Sequence, residues 1–235
     1  MLTVAEAERA PQRLVIQGEA LAWLGENAAE PRDAVVTSLP DVSELPQLGP
    51  GLAGWKSWFV EAAALVMRWP APGMPSVFFQ SDIRFQGEWV DKGYLVQRAA
   101  EQVGAKLVFH KVVCRKPPGT LTQGRASYSH LLAFTLGDAI LPKKPSADVL
   151  PEAGEKPWSR AMGTRACDAA CRFLLDEAGA RRVVDPFCGR GTVLAVANAL
   201  GLDALGVELS AKRCRYARNL EYAPATDSFR ARSEV

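Results

Sequence analysis

The chain has 235 residues, 48% of them hydrophobic, enough for one large α/β domain or two small ones with a sizeable core. A formal net charge of +2 does not by itself imply a nucleic-acid partner, and no run of about 18 apolar residues offers a membrane span. The leading MLTVAEAERAPQRLVIQG has acids where a secretory signal needs a basic start and an apolar run, so a cytoplasmic protein is expected. The five cysteines (Cys114, Cys167, Cys171, Cys188 and Cys214) are odd in number and lack metal-type spacing. With only two histidines, His110 and His130, beside them, they read as reduced thiols and no metal site is expected.

Seven strand-like runs stand out by their β-branched and apolar density: Arg13–Gln17, Ala34–Ser38, Ser76–Gln80, Lys106–Val113, Ser129–Thr135, Arg182–Asp185 and Ala204–Leu209. Helical periodicity fills most of the gaps. Gly54–Arg68 follows the second run and Asp91–Val103 the third. Trp158–Glu177 precedes the sixth, Gly191–Leu200 follows it, and Ser210–Leu220 follows the seventh. Strands alternating with helices of 10–15 residues predict a mostly parallel sheet covered on both faces. The fourth and fifth runs have no helix between them, so they are expected to pair antiparallel across the long loop Cys114–Tyr128. The proline-rich segment Leu141–Pro157 reads as a surface connection, and the polar residues after Tyr222 as a frayed tail, 223–235. Residues 1–222 are thus expected to form one domain.

The densest chemical signal comes late in the chain. Asp185-Pro186-Phe187-Cys188-Gly189-Arg190-Gly191-Thr192 leaves a strand and opens a helix. Gly189 and Gly191 can take backbone angles closed to other residues and admit a ligand to the main chain and the helix N-terminus. Glu208 ends the next strand, 23 residues after Asp185, where an acid can bond ribose hydroxyls. The turn is neither GxGxxG nor GxxxxGK[ST], so neither a dinucleotide nor a nucleoside triphosphate is the natural ligand.

DPFCGRGT followed by GVELS resembles the cofactor motif of the class I S-adenosylmethionine-dependent methyltransferases. It is especially similar to the branch that methylates exocyclic amines of nucleic-acid bases. The resemblance implies a seven-stranded Rossmann-like sheet, mostly parallel with one antiparallel strand. It assigns the cofactor S-adenosyl-L-methionine to Asp185, Pro186, Phe187, Gly189, Gly191, Thr192 and Glu208. Family members carry a second motif, [DNS]-P-P-[YFW], which comes first in a circularly permuted subgroup. Here Thr37-Ser38-Leu39-Pro40-Asp41 stands early, after Gly18-Glu19, and is similar to that subgroup. Glu19 would then lie near the adenine. Met162 and Gly163, at the start of the helix before the final unit, would flank the cofactor. Residues 13–137 become the catalytic half and 158–220 the cofactor half.

The catalytic turn implied is Ser38, Leu39, Pro40 and Asp41. Ser38 and the Leu39 carbonyl would orient the target amine for in-line displacement. Asp41 stands where the family has an aromatic ring; it either bonds a base edge or caps the turn. Stacking must then come from another ring, with Trp55, Trp58, Phe79 and Trp89 as candidates.

No acid occurs between Glu101 and Asp138, whereas that stretch holds Lys106, Lys111, Arg115, Lys116 and Arg125 beside Tyr128. Arg115, Lys116 and Arg125 suit a phosphate backbone. Asp82 and Arg84, at a strand end, are further substrate candidates, with an internal ion pair as the equal alternative. No separate recognition domain remains, which leans the expected partner toward RNA rather than DNA, with a partner subunit or homodimer left open. The competing readings are a small-molecule or protein methyltransferase on the same fold, and a catalytically silent partner subunit.

Overall fold

The computed structural model describes residues 9–48, 51–138 and 140–231. Its centre is an eight-stranded sheet. In chain order the strands are β1 (Arg13–Gln17), β2 (Asp33–Thr37), β3 (Ser76–Gln80), β6 (Lys106–Cys114), β7 (Tyr128–Thr135), β8 (Val149–Leu150), β9 (Arg182–Asp185) and β10 (Asp203–Glu208). Across the sheet they lie in the order β1-β10-β9-β2-β3-β7-β6-β8. Only β7 runs against the rest, pairing antiparallel with β3 and β6. The expected sheet is therefore present with one strand more. The eighth, β8, lies in the proline-rich segment read as a surface connection and pairs with β6 through only two residues, too short for an alternation pattern to reveal.

All five residues of β2 and of β3 are buried, as befits central parallel strands covered on both faces. One face packs on α2 (Leu52–Arg68) and α3 (Lys92–Val103) through Trp55, Phe59, Phe78, Leu95 and Phe134. The other packs on α4 (Thr164–Asp176) and α5 (Thr192–Ala199) through Val36, Val77, Leu131, Leu174 and Leu194. At the amino ends, the buried Asp33 carboxylate receives both guanidinium arms of Arg182, at 2.8 and 2.6 Å, bracing β2 against β9.

Three elements escape the sequence reading. Helix α1 (Ala20–Glu26) is only seven residues long. A small hairpin joins β4 (Ile83–Phe85) to β5 (Glu88–Val90) through Gln86 and Gly87, both at positive φ. This two-residue turn is a legible signal that the reading passed over. After α6 (Ala211–Asn219), β11 (Leu220–Ala223) pairs antiparallel with β12 (Ser228–Ala231) where a frayed tail was expected. Tyr222 and Phe229 stack across it with centroids 5.2 Å apart, giving the polar end an apolar anchor. The helix expected to start at Trp158 starts at Thr164, with Gly163 as its cap.

Candidate functional site

The carboxyl ends of β1, β2, β9 and β10 surround a cavity of about 580 Å³, within the size range of small-molecule and cofactor sites. Its position follows from strand order. β2 and β9 are neighbours, so the Thr37-Ser38-Leu39-Pro40 turn and the Asp185–Thr192 turn meet although 148 residues separate Thr37 from Asp185. The Thr37 hydroxyl donates to Asp185 Oδ1 at 2.7 Å, and the Phe187 N–H donates to the same oxygen at 3.1 Å. Burial pushes the Asp185 carboxyl up to about 7 despite these two bonds, and the charge of Glu208 adds to the rise.

On the glycine-turn side, Asp185, Pro186, Phe187, Gly189 and Thr192 line the cavity, and Glu208 closes it at the end of β10. Glu208 Oε1 accepts the Ser210 N–H at 2.7 Å, which fixes the carboxylate's direction. Thr192 Oγ1 is buried and has no hydrogen-bond partner among the described residues, an orphaned polar atom at the first turn of α5. Glu19 and Met162 also line the cavity. Glu19 Oε2 accepts the Ala22 N–H at 2.7 Å and so caps α1. An acidic pair, an orphaned hydroxyl and a glycine open to the cavity suit a cofactor bearing an ammonium group and ribose hydroxyls.

Two expected glycines do other work. A Cβ on Gly191 would meet Ala217 Cα at 2.8 Å, and one on Gly163 would meet the Ala153 carbonyl oxygen at 2.0 Å. Both allow backbone to pack on backbone, and neither lines the cavity. Gly189, at φ +56°, has only Trp158 Cζ2 near its Cβ position, at 3.6 Å.

On the facing wall, Ser38 is exposed and lines the cavity with Leu39 and Pro40. Asp41 does not line it. Its carboxylate pairs with the Lys92 ammonium, its N–H is held by Glu44 Oε2 at 3.1 Å, and the Pro40 carbonyl accepts the Trp55 indole N–H at 3.3 Å. The turn is therefore clamped from α2 and α3. Of the four candidate rings, Trp55 and Phe79 are core. Trp89 is exposed on the small hairpin near Arg84, whose guanidinium lies 5.9 Å from its ring. Trp58 lines the cavity, edge-on to Phe187 at 6.3 Å.

Asp82 and Arg84 part company. Arg84 is exposed, whereas Asp82 is buried and accepts from the Lys92 N–H (2.9 Å), His130 Nε2 (3.0 Å) and the Tyr128 hydroxyl (3.2 Å). Burial alone would raise this carboxyl, but those three partners outweigh it and hold it below its ordinary value. His110 meets His130 at 2.9 Å, completing a polar network behind the Lys92 turn. Arg115, Lys116 and Arg125 are exposed on the β6–β7 loop, away from the cavity lining. The sequence reading missed Glu44, Gln47, Trp158, Arg160, Ser210 and Arg213 among the lining residues. They sit on short helical turns, connecting loops and the first turn of α6, whose approach to the cavity only the tertiary fold reveals. All five cysteines are free and buried.

No protein-family model and no curated protein matches the chain. Solved structures match its fold. TTHA0409 of Thermus thermophilus, described as a candidate DNA modification methylase and solved with S-adenosyl-L-methionine, aligns at 19% identity. It covers 88% of this chain and 92% of its own, with a TM-score of 0.65. The PvuII DNA methyltransferase, cytosine-N4-specific, aligns at 15% identity over 89% and 88%, with a TM-score of 0.68. M1.HpyAVI, solved with SAM, aligns at 14% identity over 88% and 98%, with a TM-score of 0.59. The chain thus has the fold of these methyltransferases. No helix among the described residues is long and apolar enough to cross a membrane.

Proposed function

We propose that this protein is an S-adenosyl-L-methionine-dependent methyltransferase that acts on an exocyclic amine of a nucleobase within a nucleic acid. One observation carries the reading: a single cavity joins the Ser38-Leu39-Pro40 turn to the Asp185–Thr192 turn and Glu208. Asp185 and the Gly189 backbone suit the methionine part of the cofactor, Glu208 the ribose, and Glu19 the adenine side. When bound, the cofactor supplies an electrophilic methyl group. The chain's task is then positioning: the Ser38 hydroxyl and the Leu39 carbonyl accept the two amine hydrogens and turn the lone pair toward the methyl. Leu39 is buried and Pro40 is tied to Trp55, so the turn is preorganised for that task.

Strand order supports reading the chain as circularly permuted, because β9, which carries the cofactor turn, sits mid-sheet between β10 and β2 although it is ninth in sequence. RNA was expected because no recognition domain is inserted. That ground weakens, since the DNA-acting PvuII methyltransferase is itself covered over 88% of its length. The acceptor assay therefore carries both nucleic acids. Purified protein is incubated with methyl-labelled S-adenosyl-L-methionine and separate tRNA, rRNA and DNA pools, and the labelled nucleosides are identified by mass spectrometry. Label on an exocyclic amine in one pool is expected. Cofactor binding without label in any pool would overturn the acceptor assignment, and absence of cofactor binding would overturn the whole reading.

A further inference from the structure

The cavity mouth is flanked on both sides by cations that, among the described residues, no carboxylate neutralises. On one side are Arg115, Lys116 and Arg125, on the loop leaving the carboxyl end of β6. Lys156 joins them from the segment that follows β8 and crosses the carboxyl edge toward Trp158 and Met162 in the cavity wall. Burial, and then the nearby Arg115 charge, press the Lys156 ammonium below its ordinary value, as expected where like charges crowd without an acid.

On the other side are Arg190, in the glycine turn, and Lys212 and Arg215, in the first two turns of α6, which starts directly after β10. Among the described residues none of these three has a carboxylate within 4.0 Å. Arg190 lies between the rings of Trp158 and Tyr216, at 5.3 and 5.1 Å, so its charge is held in place at the rim. Lys212, Arg215 and the half-exposed Tyr216 line a shallow groove beside it. Several carboxylates of the same edge are already engaged: Asp41 by Lys92, Glu44 by Arg160, Glu152 by Arg165, and Glu208 by the Ser210 N–H. Glu155 and Glu19 are exposed, with no ion pair for either among the described residues, against seven cations in the two groups.

We infer that a nucleic-acid strand crosses the whole carboxyl edge of the sheet, held by the β6–β7 loop and Lys156 on one side of Ser38 and by Arg190, Lys212 and Arg215 on the other. The outer members of the two groups leave β6 and β10, five strand spacings apart, with Lys156 and Arg190 between them beside Trp158. At about 4.8 Å each this is roughly 24 Å, or about seven phosphates at 3.4 Å per nucleotide. A free nucleoside or mononucleotide cannot bridge them. The acceptor is therefore a polymer, with the half-exposed Tyr216 offering its ring to a base outside the cavity. This inference rests on the function proposed above and extends it to a surface that the motifs do not mark.

The test measures binding of 24-nucleotide RNA and DNA strands, and of mononucleotides, by the full chain at several salt concentrations. Arg115→Glu/Arg125→Glu and Lys212→Glu/Arg215→Glu are compared with the unsubstituted protein, and S-adenosyl-L-methionine binding is measured alongside by equilibrium dialysis. Each double reversal is expected to weaken polymer binding at least tenfold and to flatten its salt dependence, with cofactor affinity unchanged. RNA or DNA preference is read from the same titrations. Unchanged polymer affinity on reversing Lys212 and Arg215 would overturn the two-sided surface. Mononucleotides binding as tightly as the polymers would overturn it too. Loss of cofactor binding in the unsubstituted protein would instead sink the proposed function.

Discussion

The Lys92 ammonium, almost wholly buried, lies 2.5 Å from the Asp41 carboxylate and ties the first turn of α3 to the turn that carries Ser38. Asp41 occupies the position where the related motif has an aromatic ring, and the ion pair explains the difference. On the proposed reading, the Ser38 turn is fixed by charge and its stacking ring would be Trp58, on α2.

Asp41→Asn leaves the buried ammonium without its counter-charge. It should cost about 2 kcal/mol, less than a fully buried pair because Asp41 keeps about a third of its exposure. Denaturant titration reads this directly. Asp41→Leu/Lys92→Met, which removes both charges, should recover most of the loss. Turnover should fall in the single variants while cofactor affinity holds. Wild-type stability in Asp41→Asn would reduce the pair to a surface contact.

The two glycines of the turn should fail differently. Gly189 is at φ +56° and faces the cavity, so Gly189→Asn, a residue that tolerates this backbone region, should fold and lose cofactor binding. Gly191 is at φ +83° with Ala217 Cα at 2.8 Å from its Cβ position, so Gly191→Asn must push α6 away and should lower the melting temperature sharply. Thermal melts and equilibrium dialysis separate the two. The same loss in both variants would remove the distinction.

How far the sequence reaches is visible in these residues. Asp185, Gly189 and Glu208 were legible because a strand, a tight turn and an acid at the next strand end leave a spacing signature. The covered sheet was legible because buried parallel strands are continuous apolar runs. Lys92 and Arg190 were not, and Trp58 was one of four candidate rings that the sequence could not rank. A lysine in a first helical turn looks like a solvated charge, and a tryptophan at helical spacing looks like core. Their meaning comes from contacts across 51 residues for Lys92 and Asp41, and from a loop crossing above the sheet for Arg190. Asp82 was left open between substrate and an internal ion pair for a related reason. A strand-end carboxylate near the site can equally be the hub of an internal network, and His130, Tyr128 and the Lys92 N–H made it one.

The Asp185 carboxyl sets a pH dependence. Its folded value of about 7 lies above the ordinary 3.8, so between these values the folded chain holds a proton that the unfolded chain has lost. Stability from this group is complete below about pH 4 and declines as pH rises to 7, by about 4 kcal/mol at most. Asp185→Asn should flatten that decline in denaturant titrations between pH 5 and 8. A cofactor ammonium favours the ionised carboxylate. Binding near pH 6 should therefore release a proton, which appears as a dependence of calorimetric enthalpy on buffer ionisation enthalpy. Buffer-independent heats would place the ammonium elsewhere.

Trp58 and Ser38 should separate base holding from amine orientation. Trp58 meets the cavity beside Phe187, and stacking on one ring contributes about 1–3 kcal/mol per base. Trp58→Ala should therefore raise the acceptor KM by roughly 5- to 150-fold, and Trp58→Phe should recover most of it. Ser38→Ala removes one of the two hydrogen-bond acceptors proposed to hold the amine and leaves the ring in place. It should lower kcat with the acceptor KM nearly constant, because the missing bond acts on the lone pair in the transition state. Steady-state kinetics with the labelled cofactor distinguish the two patterns. A kcat loss in Trp58→Phe equal to that in Trp58→Ala would mean that the indole does more than stack. An unchanged kcat in Ser38→Ala would leave the Leu39 carbonyl to orient the amine alone.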